Sequence, residues 1–266
     1  MDEELAHPGP EVHVDRRSSL KRLWALAALA TVSCGGGSPA PAPGPVAAPS
    51  PPAPSPPSPA PAPAPAPAPS PAGPALGAHS LVYNRDGVSV APLVTDAMAT
   101  QAAGSTLLVC VGRGGLSNQR VPTDNKGNTY QQIGSAHAYT NWPSSGTALY
   151  ACAAASGGAG HQITVAKPVA SDETTATAIE VVGGGLIRDV QWREVPRGNA
   201  ITSPTVTTRG PAVIVAWWWG DADVNFDKTA VPDSGFTVID SILLQGALVQ
   251  CAVAVRVVSS AGSYQT

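Results

Sequence analysis

Half of the residues from Pro39 to Pro74 are proline, 18 of 36. Proline fixes φ and has no backbone N–H, so this stretch can be neither a helix interior nor a central strand. Alanine and serine fill the positions between, most regularly from Pro61 to Pro71, and leave nothing to bury. Such a tract prefers extended polyproline II, at about 3.1 Å per residue, and reaches roughly 110 Å at most. It reads as a disordered linker that spaces a domain from a surface; the plainer alternative is repeat expansion without a role. No aromatic or basic residue flanks its PxxP patterns, which argues against a peptide-docking motif. Only ten of the chain's 28 prolines lie outside the tract. The capacity to fold therefore lies elsewhere.

Upstream of the tract, Arg16, Arg17, Lys21 and Arg22 precede the apolar run Leu23–Val32. A basic stretch followed by 7–15 apolar residues is the pattern of a secretory signal. Ten residues as helix rise about 15 Å, half of a bilayer core, so the run is too short for a stable span. No apolar run in the chain reaches 18 residues. The acidic Asp2, Glu3, Glu4 and Glu11 are out of place in a signal and point to a true start further in, near Val12 or Val14.

Two cleavage sites compete. Ala28-Leu29-Ala30 fits ordinary signal peptidase. Thr31-Val32-Ser33-Cys34, followed by Gly35-Gly36-Gly37-Ser38, resembles the lipobox of bacterial lipoproteins, with Thr31 departing from the usual leucine. That resemblance implies lipidation of Cys34 and membrane partnership through acyl chains. Gly35 after the cysteine implies the outer membrane or cell surface; cleavage at the earlier site implies a secreted or periplasmic protein. The expected division is residues 1–33 signal, 34–75 lipidated cysteine and stalk, and 76–266 folded domain.

From Leu76 the sequence becomes rich in Val, Thr, Ile, Gly and Ala. Apolar or β-branched runs recur at Leu81–Tyr83, Thr106–Val111, Ala148–Cys152, Ile163–Val165, Thr177–Val182, Val213–Trp219, Phe236–Ile239 and Val249–Val258. Glycine, asparagine or proline separates them. Short strands with frequent turns predict an all-β domain, a single antiparallel β-sandwich of jelly-roll-like type. Only Thr95–Ala102 reads as helical. Ala212–Trp219 is apolar at both alternating positions, which predicts cover on both faces. Asp124-Asn125-Lys126-Gly127-Asn128 predicts a tight hairpin turn, with a strand starting at Thr129-Tyr130.

PTDNKGNTY, ALYACAAAS with GGAGHQITV, AVPDSGFTVIDS and AVAVRVVSSAGSY together resemble a group of uncharacterised secreted bacterial β-sandwich domains. These occur alone on lipoproteins and within larger surface or phage-tail-like proteins. The likeness covers about Leu81 to Tyr264, and its motifs are turns and strand edges without known chemistry. It implies one or two further strands after the one starting at Ser263, hence a truncated C-terminus with an unpaired, aggregation-prone sheet edge.

The formal net charge is −3, without the basic excess of a nucleic-acid binder. No G-x-S-x-G, H-E-x-x-H, P-loop or strand-linked G-x-G-x-x-G is present. No catalytic residue and no cofactor is predicted. His161 reads as a solvent-facing or satisfied residue at a strand start. Asp221, Asp223, Asn225 and Asp227 alternate oxygen donors, as the opening of a calcium loop does. Phe226 and Pro232 occupy the places of the turn glycine and the bidentate glutamate, so a solvated acidic loop is the competing reading. Cys110, Cys152 and Cys251 lie in apolar runs, and spacing does not select a disulfide pair among them.

The sharpest feature is Trp217-Trp218-Trp219. Along a strand neighbours alternate faces, so Trp217 and Trp219 share one side. With Trp142 and Tyr139 from another loop they form a candidate platform for sugar rings; the alternative packs all three tryptophans under the Gly220–Gly235 loop. The leading function is a surface-anchored, non-catalytic binding or adhesion module for polysaccharide or a surface protein. The alternatives are a hydrolase or enzyme-accessory domain without a recognisable motif, and a structural envelope component.

Overall fold

A computed structural model describes residues 73–84, 90–196, 198, 200–221, 228–244 and 249–266. The signal, Cys34 and nearly all of the stalk lie outside the described residues. The protein is all-β and antiparallel. A five-stranded sheet has the order β1 (Ala75–Asn84), β8 (Thr174–Val182), β3 (Ala103–Arg113), β6 (Gly146–Ser156), β5 (Gln131–Ala138). A three-stranded sheet has the order β10 (Ala212–Asp221), β12 (Val249–Val258), β11 (Thr237–Ile242). Two smaller sheets are β2 (Leu93–Val94), β7 (Ile163–Val165), β4 (Thr123–Asp124) and the pair β13 (Gly262–Tyr264) with β9 (Val206–Thr208). Leu116–Asn118 forms one 3-10 turn.

The inner strands β8, β3 and β6 of the five-stranded sheet are largely buried on both faces, because they carry apolar or small residues at both alternating positions. Leu107, Val109 and Val111 of β3, with Tyr150 of β6 and Ala176 and Ala178 of β8, pack against Leu93, Met98, Ile163 and Val165. The residues between them point the other way. There Ile179 and Leu108 meet Trp219, Cys251 and Val253 of the three-stranded sheet. The outer face of β10 is covered in turn: Ile214, Ala212 and Ala216 pack with Val206 and Tyr264. This is the two-sided cover that the apolar run Ala212–Trp219 predicts.

All eight predicted runs lie within or overlap observed strands. Thr95–Ala102 is not a helix. Its backbone pairs instead with residues 158–163: Thr95 N donates to Ile163 O, and Met98 and His161 exchange both N–H bonds, each at 2.9 Å. The Thr95 hydroxyl accepts from Ile163 N at 2.9 Å, so a residue poorly suited to a helix interior serves as a sheet connector. The Asp124–Asn128 turn exists but makes no hairpin, since β4 pairs with β7 and β5 with β6. Asp124 Oδ1 accepts from Lys126 N and Asn128 N, both at 3.0 Å. This side-chain turn leads the chain from one sheet into another.

Candidate functional site

A cavity of about 670 Å³ opens where the three-stranded sheet leaves part of the five-stranded sheet uncovered. Its floor is Leu108, Cys110, Ile133 and Leu149; Val213, Val215 and Trp217 of β10 form one side. The segment from Gly184 to Trp192 forms the other. Strand alternation sets these positions: Val213, Val215 and Trp217 share the inward face of β10, while Trp218 takes the opposite one.

The segment is fastened to β9 by Asp189. Its Oδ2 accepts from Thr207 N at 2.8 Å and Thr207 Oγ1 at 3.1 Å, and its Oδ1 accepts from Gln191 Nε2 at 2.6 Å. The Gln191 and Thr207 bonds hold the carboxyl below the usual aspartate range. At its far end Trp192 stacks on His137 of β5, ring centroids 4.5 Å apart and planes within 10°. Trp192 remains 40% exposed. Arg188 and Arg209 also line the cavity.

The aromatic residues singled out in the sequence are not brought onto one surface. Trp217 is half-buried and faces the cavity. Trp219 is buried, stacked on Tyr139 at 5.3 Å and pressed against the backbone of Gly112, where a Cβ would fall inside the indole. Tyr139 donates its hydroxyl hydrogen to the Trp219 carbonyl. Trp219 and Tyr139 thus fasten β10 to the end of β5, as core. Trp142, 58% exposed, stands in the loop after Tyr139. That loop is held by Glu194, which accepts from Thr140 N at 3.0 Å and Thr140 Oγ1 at 2.5 Å. Asp221 closes β10 opposite Val249; Asp223, Asn225 and Asp227 lie outside the described residues. Among the described residues no three His, Cys, Asp or Glu side chains gather as a metal site.

Trp192 escaped the sequence reading because no strand periodicity surrounds it. His161 departs from the solvent-facing reading: it is wholly buried and satisfied. Its Nε2 and Asp124 Oδ2 are 2.9 Å apart, and its Nδ1 lies 3.0 Å from Thr100 Oγ1. Asp124 also accepts from Tyr130 OH at 2.8 Å and Asn128 Nδ2 at 2.7 Å. Burial pushes the Asp124 carboxyl up, but the bonds from Asn128, His161 and Tyr130 outweigh this and hold it far below the usual range. The trio resembles a hydroxyl–imidazole–carboxylate relay. Thr100 Oγ1, however, already accepts from Gly158 N at 3.0 Å, and the imidazole is wholly buried. The network joins loops. A second buried pair, Arg113 and Asp172 at 2.8 Å, ties the end of β3 to the turn before β8.

Comparisons with known proteins found no matching family model, no matching curated protein and no matching solved structure.

Proposed function

We propose that the chain is an exported lipoprotein, acylated at Cys34, whose Pro/Ala-rich stalk carries a non-catalytic carbohydrate-binding module at the outer membrane or cell surface. The observation that carries the binding reading is the 670 Å³ cavity with the half-exposed Trp192 at one end and Trp217 on one side. Exposed indole faces hold sugar rings through their C–H edges, and Arg188, Arg209 and Gln191 supply hydrogen-bond donors at the same rim. Trp192 has a further qualification: stacking on His137 fixes its ring before a ligand arrives, which lowers the entropy cost of binding. Trp219, as core, is not part of this site.

A glycan array probed with the full chain tests the reading. Retention of at least one polysaccharide class, lost in both Trp192→Ala and Trp217→Ala, supports it; an array without retention rejects it. Palmitate labelling that disappears in Cys34→Ala tests the anchor, and labelling that survives the substitution rejects it.

A further inference from the structure

The cavity has a direction. Its lining passes from Pro74, just before β1, through Val181 of β8, Leu108 of β3 and Leu149 of β6 to His137 of β5, which is the order of those strands in the sheet. It is therefore a groove across the five-stranded sheet, four strand spacings or roughly 19 Å long. The proline-rich tract meets the folded domain at one end of this groove. Gly73 and Pro74 are the first described residues. A Cβ on Gly73 would lie 3.1 Å from Cβ of Pro211, and a Cβ on Gly183 would lie 3.5 Å from the Gly73 carbonyl oxygen. Pro74 and Pro211 both line the groove. Trp192, stacked on His137, stands at the other end. On the wall before it, Leu186 and Val190 line the groove and are exposed apolar residues.

We propose that residues 65–72 of this chain occupy the groove. The first argument is where the chain emerges and how far it reaches. Eight residues leading into Gly73 span about 25 Å as polyproline II, enough to follow the groove from Pro74 to Trp192. The second is chemistry. Pro65, Pro67, Pro69 and Pro71 alternate with alanine and serine, and no residue of the stretch is charged. Its rings can cover Leu186, Val190 and Trp192 without desolvating an ion. Polyproline II leaves its carbonyls without internal partners, and Arg188 and Arg209 line the same groove with donors for them. Aromatic-lined grooves are a general receptor for this conformation. The third is the tether. A segment joined directly to the groove's edge has an effective concentration on the order of millimolar, so it needs none of the flanking charge or aromatic residues that docking from a separate chain requires. Residues 39–64 remain for the proposed spacer. A polysaccharide entering the groove has to displace residues 65–72. That competition rests on the carbohydrate reading above; the occupancy does not.

The test is hydroxyl-radical labelling of the full chain, read residue by residue by mass spectrometry. It is compared with a full-length variant carrying Pro65→Gly, Pro67→Gly, Pro69→Gly and Pro71→Gly, which keeps the length and removes the rings. Trp192 and Leu186 are expected to oxidise about threefold faster or more in the variant, while Trp142, exposed but outside the groove, is unchanged. Equal rates at Trp192 and Leu186 in the two proteins overturn the proposal, as does a rise of the same size at Trp142. Protection that survives the substitutions and grows with protein concentration gives the groove to a second copy of the chain and overturns it as well. For a polysaccharide retained on the array, the variant is expected to bind more tightly by the same factor, and equal affinity overturns the competition. An array without retention, with the oxidation difference present, faults the carbohydrate reading alone. Retention with equal oxidation rates faults this proposal alone.

Discussion

At the scale of single residues, the fold depends on a few side chains whose polar atoms are fully used. Asp124 accepts from two backbone amides, Asn128, Tyr130 and His161. Removing its charge leaves these donors against a weaker acceptor, so Asp124→Asn is expected to cost about 2–4 kcal/mol, read from urea unfolding. The pH dependence follows from the direction of its shift. Its carboxyl is depressed in the folded state, so the unfolded chain takes up a proton first as pH falls. Stability from this group is complete above the ordinary aspartate pKa, about 3.9, and is lost progressively below it. The urea midpoint of the parent protein falls from pH 5 towards pH 2, and in Asp124→Asn that fall is shallower; parallel curves count against the role given to Asp124. Gly112 is constrained in a different way. A Cβ there meets the Trp219 ring, so Gly112→Ala is expected to destabilise by about 1–3 kcal/mol through overpacking, checked by the same unfolding curves.

At the scale of elements, Asp189 determines whether the wall of the cavity stays in place. Three hydrogen bonds from Thr207 and Gln191 converge on its carboxylate. In Asp189→Ala the segment from Gly184 to Trp192 loses its tie to β9, and the Thr207 amide exchanges with solvent at least about tenfold faster; unchanged protection shows that the wall is held by something else. The same element shows where sequence reading reaches its limit. Strands β3, β6, β8, β10 and β12 carry long apolar runs and are legible from periodicity, and the two-sided burial of β10 follows from its unbroken apolar pattern. Short β2, β4, β9 and β13 offer two or three residues each, too few to show a period. Thr95–Ala102 reads as helical, but Thr95 bonds to β7 and Thr100 to the loop that precedes it, a tertiary choice that no local pattern encodes. That Trp217 shares a face with Trp219 was legible because both sit in one strand, and Trp217 lines the cavity. Trp192 was not, since its partner His137 is far away in sequence and its own segment has no period.

At the scale of the whole molecule, the proposed function assigns three tasks to three sequence regions: export and anchoring, spacing, and recognition by one all-β unit. The central claim concerns recognition. Trp219 and Trp192 separate it from mere folding, because one indole is core and the other is half-exposed. Trp219→Ala is expected to cost about 3–5 kcal/mol of stability, whereas Trp192→Ala leaves the thermal midpoint within about 2 °C of the parent, as surface substitutions do. The most direct measurement is the affinity of the full chain and of Trp192→Ala for a polysaccharide retained on the array, by calorimetry. The account predicts a loss of about tenfold or more in Trp192→Ala, the equivalent of one aromatic stacking contact, with the thermal midpoint unchanged. Equal affinity in the two proteins contradicts it.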